Sequence, residues 1–286
     1  MKIVYSSKCL EYREIGHPES PERIKEVIDF LKRKKDKNIK FIEPESAEEE
    51  DLLLAHTQNL VNQVKNETFF DQDTPRIKGI FDYASLSAGG AIKAMEISLI
   101  GEFAFSLMRP PGHHAGRDRL SGFCYFNNLA VAVAKALERV ERVAILDFDC
   151  HHGNGTEDIF LGKSNLLYLS LHQYPFYPGT GAESNFNCLN FPLPAGTKEK
   201  EYLETLEFAL KKISYFSPDL LALSAGFDGF KNDPLTIFGL EKESFGRIGE
   251  KIADLKLPAF AVLEGGYGQA LPVCLYNFLL GMGQVG

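Results

Sequence analysis

Paired cysteines are missing from this chain: its five (Cys9, Cys124, Cys150, Cys188 and Cys274) are odd in number and scattered. That spacing excludes a disulfide framework and the Cys/His pairs of structural zinc, and it fits a reducing compartment. Basic residues are also scarce. With 31 Lys+Arg against 39 Asp+Glu, the formal net charge is −8, which argues against direct nucleic-acid binding and mildly favours a cationic substrate. No apolar run approaches the roughly eighteen residues of a membrane span. The amino terminus opens with a strand-like segment, Lys2–Tyr5, in place of a signal peptide, so a cytoplasmic protein is expected. A Gly-x-Ser-x-Gly elbow is absent, which removes the usual serine-hydrolase chemistry. Leu161-Gly162-Lys163-Ser164 looks like the end of a phosphate loop, but Glu157 stands where its first glycine belongs. Repeats, low-complexity segments and domain boundaries are lacking too. With 44% hydrophobic residues, residues 1–286 can bury the core of one catalytic domain.

What is present is an alternation of strands and helices. The apolar runs 103–108, 143–149, 166–172, 220–225 and 259–263 read as buried strands. Helical spacing covers Pro21–Lys35, Leu52–Val64, Ser85–Ile100, Asn127–Val140, Glu201–Ile213 and Glu243–Leu255, with an acidic linker at Glu43–Asp51. The basic cluster Lys32-Arg33-Lys34-Lys35 closes the helix that Ser20-Pro21-Glu22 opens, where cations complement the helix dipole. This pattern predicts an α/β fold with a mostly parallel central sheet, helices on both faces and ligands at the strands' carboxyl ends.

The chemistry gathers at those ends. Asp147-Phe148-Asp149-Cys150-His151-His152-Gly153-Asn154 follows the apolar run Val143–Leu146, and in an extended chain Asp147, Asp149 and His151 share one side. Two carboxylates and an imidazole suit a divalent metal, because buried carboxylates without a cation or donors are costly. The run Leu220–Ala225 ends in Gly226-Phe227-Asp228-Gly229, and Asp228 completes an Asp/His/Asp set with positions open for water and substrate. Phe103–Met108 leads into Arg109-Pro110-Pro111-Gly112-His113-His114, whose imidazoles have the pKa of a general base. Ala259–Leu263 leads into Glu264-Gly265-Gly266-Tyr267-Gly268, where a phenol can donate to a developing oxyanion.

Taken together, residues 109–115, Gly122-Phe123-Cys124-Tyr125-Phe126-Asn127-Asn128, 147–156, Tyr177-Pro178-Gly179-Thr180-Gly181 and Glu264-Gly265-Gly266-Tyr267 resemble the histone deacetylase, acetylpolyamine amidohydrolase and acetoin-utilisation family. His17-Pro18-Glu19-Ser20-Pro21-Glu22-Arg23 and Gly79–Ala84 fit it as well, so the resemblance runs from about His17 to Tyr267. It implies a three-layer αβα, arginase/deacetylase-like fold and a zinc-dependent amidohydrolase. Asp149, His151 and Asp228 would hold the zinc, His113 and His114 would handle the proton, and Tyr267 would polarise the scissile carbonyl. Asp147 would orient His113 and, with Ser170, Leu171 and the backbone of Asp149 and His151, hold a potassium ion. Phe123 and Tyr177 would wall a channel for an aliphatic stem, beside Gly122, Leu235 and Gly266. Asp73 would take backbone N–H groups of a peptide at the rim, and Arg23 would line an inner cavity for acetate.

Two positions depart from the family pattern. Tyr177 stands where a second phenylalanine is common, which makes the wall slightly more polar. Asn154 replaces the Asp found in some members, and an amide cannot stabilise imidazolium as an anion does, so a lowered His114 pKa and a neutral resting imidazole are expected. Arginase-like chemistry needs carboxylates for a second metal where Gly153 and Phe230 stand, which favours one metal; iron(II) or manganese could compete with zinc. A silent acyl-binding protein would be expected had a ligand or Tyr267 been lost, and all are present. Protein acetyl-lysine is the first expected substrate and an acetylated polyamine the alternative, with longer acyl groups open. The compact segment between Val64 and Phe81 leaves little room for a dimer-building insertion, so a monomer is expected.

Overall fold

The computed structural model describes residues 1–286. Eight short aliphatic runs form strands: β1 (Lys2–Val4), β2 (Lys40–Ile42), β3 (Ala104–Ser106), β4 (Val143–Asp147), β5 (Leu166–Gln173), β6 (Cys188–Leu193), β7 (Leu220–Ala225) and β8 (Ala259–Leu263). Nine α-helices accompany them: α1 (Pro21–Lys34), α2 (Glu49–Leu53), α3 (Gln58–Lys65), α4 (Ile80–Leu99), α5 (Asn128–Ala136), α6 (Asn154–Phe160), α7 (Glu199–Phe216), α8 (Lys242–Ala253) and α9 (Leu271–Gly281). The strands make one sheet in the order β2-β1-β3-β8-β7-β4-β5-β6, and every pairing is parallel. Such a sheet must be covered on both faces. Along β4, Ala144 and Leu146 pack into one apolar cluster with Ile24 of α1, Leu206 of α7, Ile248 of α8 and Phe278 of α9. Val143 and Ile145 face the other, with Leu52, Leu60, Ala88, Leu129 and Phe160 of α2 to α6. Three layers result.

The sequence expectation missed β2, β6, α6 and α9 and joined α2 to α3. Pro192 and two partly exposed positions disguise β6, an edge strand. In the 52–64 segment, Thr57 caps α3 by accepting from Leu60 N at 3.2 Å, so the helix restarts there. Part of the presumed acidic linker is itself α2, opened by the Glu48/Asp51 capping box.

Chain order explains where a site can form. After β3 the chain crosses to β4 and builds outward to β6, then returns to insert β7 and β8 between them. The carboxyl ends of β3, β8, β7 and β4 thus stand side by side at the switch in direction, where open α/β sheets hold ligands. Their loops are 109–116, 264–268, 226–229 and 148–153.

Candidate active site

Asp149, His151 and Asp228 come together beyond β4 and β7, with ligand atoms all within 4.8 Å of one another. Strand alternation is not what aligns them: β4 ends at Asp147, and the chain then turns. Asp149 N donates to Asp147 Oδ1 (3.2 Å) and His151 N to Asp149 Oδ1 (2.9 Å), so successive carboxylates fold the backbone around themselves. His151 Nδ1 lies 3.1 Å from Asp149 Oδ1 and 2.9 Å from Asp228 Oδ2. Only the first contact has hydrogen-bond geometry, which leaves Asp228 Oδ2 a buried acceptor without a hydrogen-bond partner. A Cβ on Gly265 would sit 2.5 Å from both Asp149 Oδ2 and Asp228 Oδ2, so glycine keeps the cradle open. Crowded carboxylates, an orphaned oxygen and an imidazole nitrogen fit a divalent cation.

Charge distribution tells the same story. Burial raises the Asp228 carboxyl to about 7, helped by repulsion from Asp149. Burial acts against Asp149 too, but His113 and His151 outweigh it and hold that carboxyl below its usual range. His151 is raised to about 10, because Asp149 and Asp228 overcome the burial that would lower it. A bound cation would replace that proton.

The paired histidines differ sharply. His113 Nδ1 lies 3.1 Å from Asp147 Oδ2, an oxygen that also accepts from Tyr168 Oη at 3.2 Å. Burial lowers the pKa of His113, yet Asp149 and Asp147 raise it on balance to about 10. His114 is packed 4.0 Å from His113, ring centroid to centroid, and its Nδ1 lies 2.8 Å from Asn154 Oδ1. Burial, then His113 and His151, push its pKa well below the ordinary value. Because an amide oxygen only accepts, Nδ1 carries the hydrogen and Nε2 keeps its lone pair. The neutral His114 expected from Asn154 is the one the geometry favours.

Above these groups opens a pocket of about 200 Å³ lined by Asp73, His113, His114, Gly122, Phe123, His151, Phe176, Tyr177, Leu235 and Tyr267. Phe123 has φ 71°, a conformation costly for an aromatic residue, and its N–H donates to Thr74 Oγ1 at 3.0 Å. Its ring meets His17 edge-on at 4.5 Å and Tyr267 at 5.8 Å. Burial raises the Tyr267 phenol well above its normal pKa, which keeps it protonated and able to donate. Arg23 lies behind the pocket, its guanidinium 4.4 Å from the Tyr267 ring centroid, with Nε to Gly266 O at 2.7 Å. Gly266 itself does not line the pocket; its carbonyl serves Arg23. Asp147, Ser170 and Leu171 are fully buried below, with Asp147 and Ser170 in register on β4 and β5.

Several residues in this region were given no role by the sequence, although Glu264 and Glu19 stand within its motifs. Phe176 stacks on His151 at 5.5 Å. Glu264 accepts from Gly112 N (2.7 Å) and His113 N (3.1 Å), clamping the turn that bears both histidines. Glu19 receives Arg109 Nε and Nη2 at 2.7 and 2.8 Å and Arg23 Nη1 at 3.3 Å, a buried brace from the 17–23 segment to β3. Asp233, in Asn232-Asp233-Pro234, looks like an ordinary turn residue, yet it bonds the Tyr267 loop.

Comparison with known proteins follows the same lines. The histone deacetylase domain model matches residues 17–279. A protein of Archaeoglobus fulgidus named "Probable deacetylase" is 37% identical, over 93% of this chain and 80% of that protein. Among solved structures, the HDA15 HD domain superposes with a TM-score of 0.93 at 30% identity, covering 99% of this chain and 91% of that one. The acetylpolyamine aminohydrolase from Burkholderia pseudomallei gives 0.92 at 27% identity, covering 99% and 98%. With its all-parallel sheet and its Asp/His cluster at the strand ends, this chain belongs to the histone deacetylase family.

Proposed function

We propose that residues 1–286 form one catalytic domain that hydrolyses the acyl-amide bond on the ε-amine of acetylated lysine side chains in proteins or peptides. The observation that carries this reading is the orphaned Asp228 Oδ2, set beside Asp149 and His151 at the base of a narrow aromatic pocket. Asp149, His151 and Asp228 hold one zinc ion, with iron(II) or manganese as competitors for the same donors. When bound, such a cation lowers the pKa of water and polarises the amide carbonyl.

The chain's own residues do the rest. Phe123 and Tyr177 grip the aliphatic stem, with Gly122 and Leu235 beside them, while Asp73 at the rim accepts backbone N–H groups. His114 Nε2 takes the proton from water, its ring fixed by Asn154. Tyr267 donates to the carbonyl oxygen as negative charge develops there. His113, oriented at Nδ1 by Asp147, gives a proton to the leaving amine and is restored by the proton that the adjacent His114 took from water. Arg23 faces the inner end, where acetate would collect. The buried, in-register pair Asp147 and Ser170, with Leu171, supports a structural potassium site. Five buried free thiols support a cytoplasmic setting, and the compact 65–80 segment supports a monomer. No helix is long and apolar enough to cross a membrane.

The close superposition on an acetylpolyamine aminohydrolase supports a second reading, hydrolysis of small acylated amines. Zinc-loaded protein assayed against acetyl-lysine peptide, acetylputrescine, acetylspermidine and longer acyl-lysines separates the two. Highest kcat/KM on the peptide is expected. Preference for acetylpolyamines would replace the substrate assignment, and no turnover of any would refute the hydrolase.

A further inference from the structure

Asp233 is buried, with 7% of its surface exposed, and lies five residues beyond Asp228 in the segment that follows β7. One carboxylate oxygen, Oδ2, accepts from the backbone N–H groups of Tyr267 (2.7 Å) and Gly268 (3.1 Å). The other, Oδ1, accepts from Leu235 N at 3.0 Å. Leu235 and Tyr267 both line the pocket. Tyr267 sits in Gly265-Gly266-Tyr267-Gly268, and a run with three glycines has little stiffness of its own. Its phenol therefore depends on anchors outside the turn. Arg23 holds Glu264 O and Gly266 O, Asp149 and Phe227 hold Gly265, and Asp233 supplies the anchor at the tyrosine's own amide. Hydrogen bonds to an ionised acceptor are the strong kind, and here one acceptor serves two separate loops.

We propose that Asp233 is a positioning residue that sets the reach of the Tyr267 phenol and the placement of the Leu235 wall together. This rests on the reading of Tyr267 as the oxyanion donor. Loss of the carboxylate frees the glycine-rich turn, so the phenol is misplaced as the reaction charge develops, while the loosened wall weakens the grip on substrate.

The test is a double-mutant cycle on the metal-loaded enzyme, with kcat and KM on an acetylated substrate and metal content and thermal unfolding measured alongside. Asp233→Ala should lower kcat by roughly 10²-fold in the Tyr267 enzyme, the scale of a 1 Å misplacement. In the Tyr267→Phe background it should lower kcat by no more than about twofold, since no phenol remains to be misplaced. The rise in KM, which comes through Leu235, should be the same in both. Equal kcat losses in the two backgrounds would overturn the proposal. Full kcat in Tyr267→Phe alone would instead sink the oxyanion reading, and the positioning role with it. Should Asp233→Ala not fold, Asp233→Asn decides. Its carbonyl oxygen can still take the two turn amides while its NH2 group faces Leu235, so KM should rise with kcat nearly kept. A kcat loss with unchanged KM would refute the shared-anchor geometry.

Discussion

Acidification from pH 7 to 5 should cost this fold about 2 kcal/mol through one imidazole outside the pocket, that of His56. His56 is 2% exposed; its Nδ1 lies 2.9 Å from Gly116 O and its Nε2 accepts from Asn127 N at 2.9 Å. It thereby ties the end of the paired-histidine loop to the start of α5. Burial pushes its pKa down from 6.5 to about 4, against a weaker upward pull from the Gly116 carbonyl. The unfolded chain binds this proton near pH 6.5 and the folded one only near 4, so stability is complete above about 6.5 and is lost as pH falls toward 4. At pH 5 the unfolded imidazole is almost fully protonated and the folded one barely so, a gap of about 1.5 pH units or 2 kcal/mol. His56→Gln can keep both hydrogen bonds without titrating. Urea denaturation of both proteins at pH 7 and pH 5 isolates the effect, because all other titrations are common to the two. The native chain should lose about 2 kcal/mol more than the variant over this range. If the two losses agree within about 0.5 kcal/mol, the burial argument for His56 is wrong.

Two further outcomes concern the site. Asn154→Asp places an anion 2.8 Å from His114 Nδ1, which raises the pKa of a base that must be neutral to act. The acidic limb of kcat/KM should move to higher pH, and an unmoved limb in a pH–rate profile would remove His114 from that role. Exhaustive chelation should abolish turnover, with zinc restoring it. Because the cation displaces a proton from His151 and competes with one on Asp228, its affinity should weaken as pH falls from about 8 to 6. Calorimetric titration that finds a pH-independent affinity would place the ion elsewhere.

How far the sequence alone reached depended on the kind of signal. Strands at the sheet centre, such as β4 and β7, declared themselves because burial on both faces leaves an almost unbroken apolar run, with only Asp147 and Ser224 polar near their carboxyl ends. The edge strands did not: β2 is three residues long with no fully buried position. Helix α9 is apolar nearly all round and has no amphipathic stripe to betray it, since α1 and α8 cover it. The Asp/His cluster was readable as residue types, yet strand alternation does not account for its alignment. Turn hydrogen bonds, not strand alternation, bring them together.

The groups that escaped notice share a physical character. Glu264 and Asp233 act through backbone amides and Glu19 through two guanidinium groups, and such contacts depend on which loops the topology makes neighbours. A turn-like Asn-Asp-Pro or an acidic residue at a strand end has an ordinary local meaning that hides a distant one. Each of these side chains spans a boundary between two loops carried by different strands. Glu264 links the β8 loop to the histidines and Asp233 links the segment after β7 to the tyrosine, as Asn154, whose role the sequence did show, links the start of α6 to His114. The four central strands place the loops within reach of one another. These polar side chains then fix the histidines, the tyrosine and the pocket wall relative to the acidic cradle, so the site depends on them as much as on the residues that face the pocket.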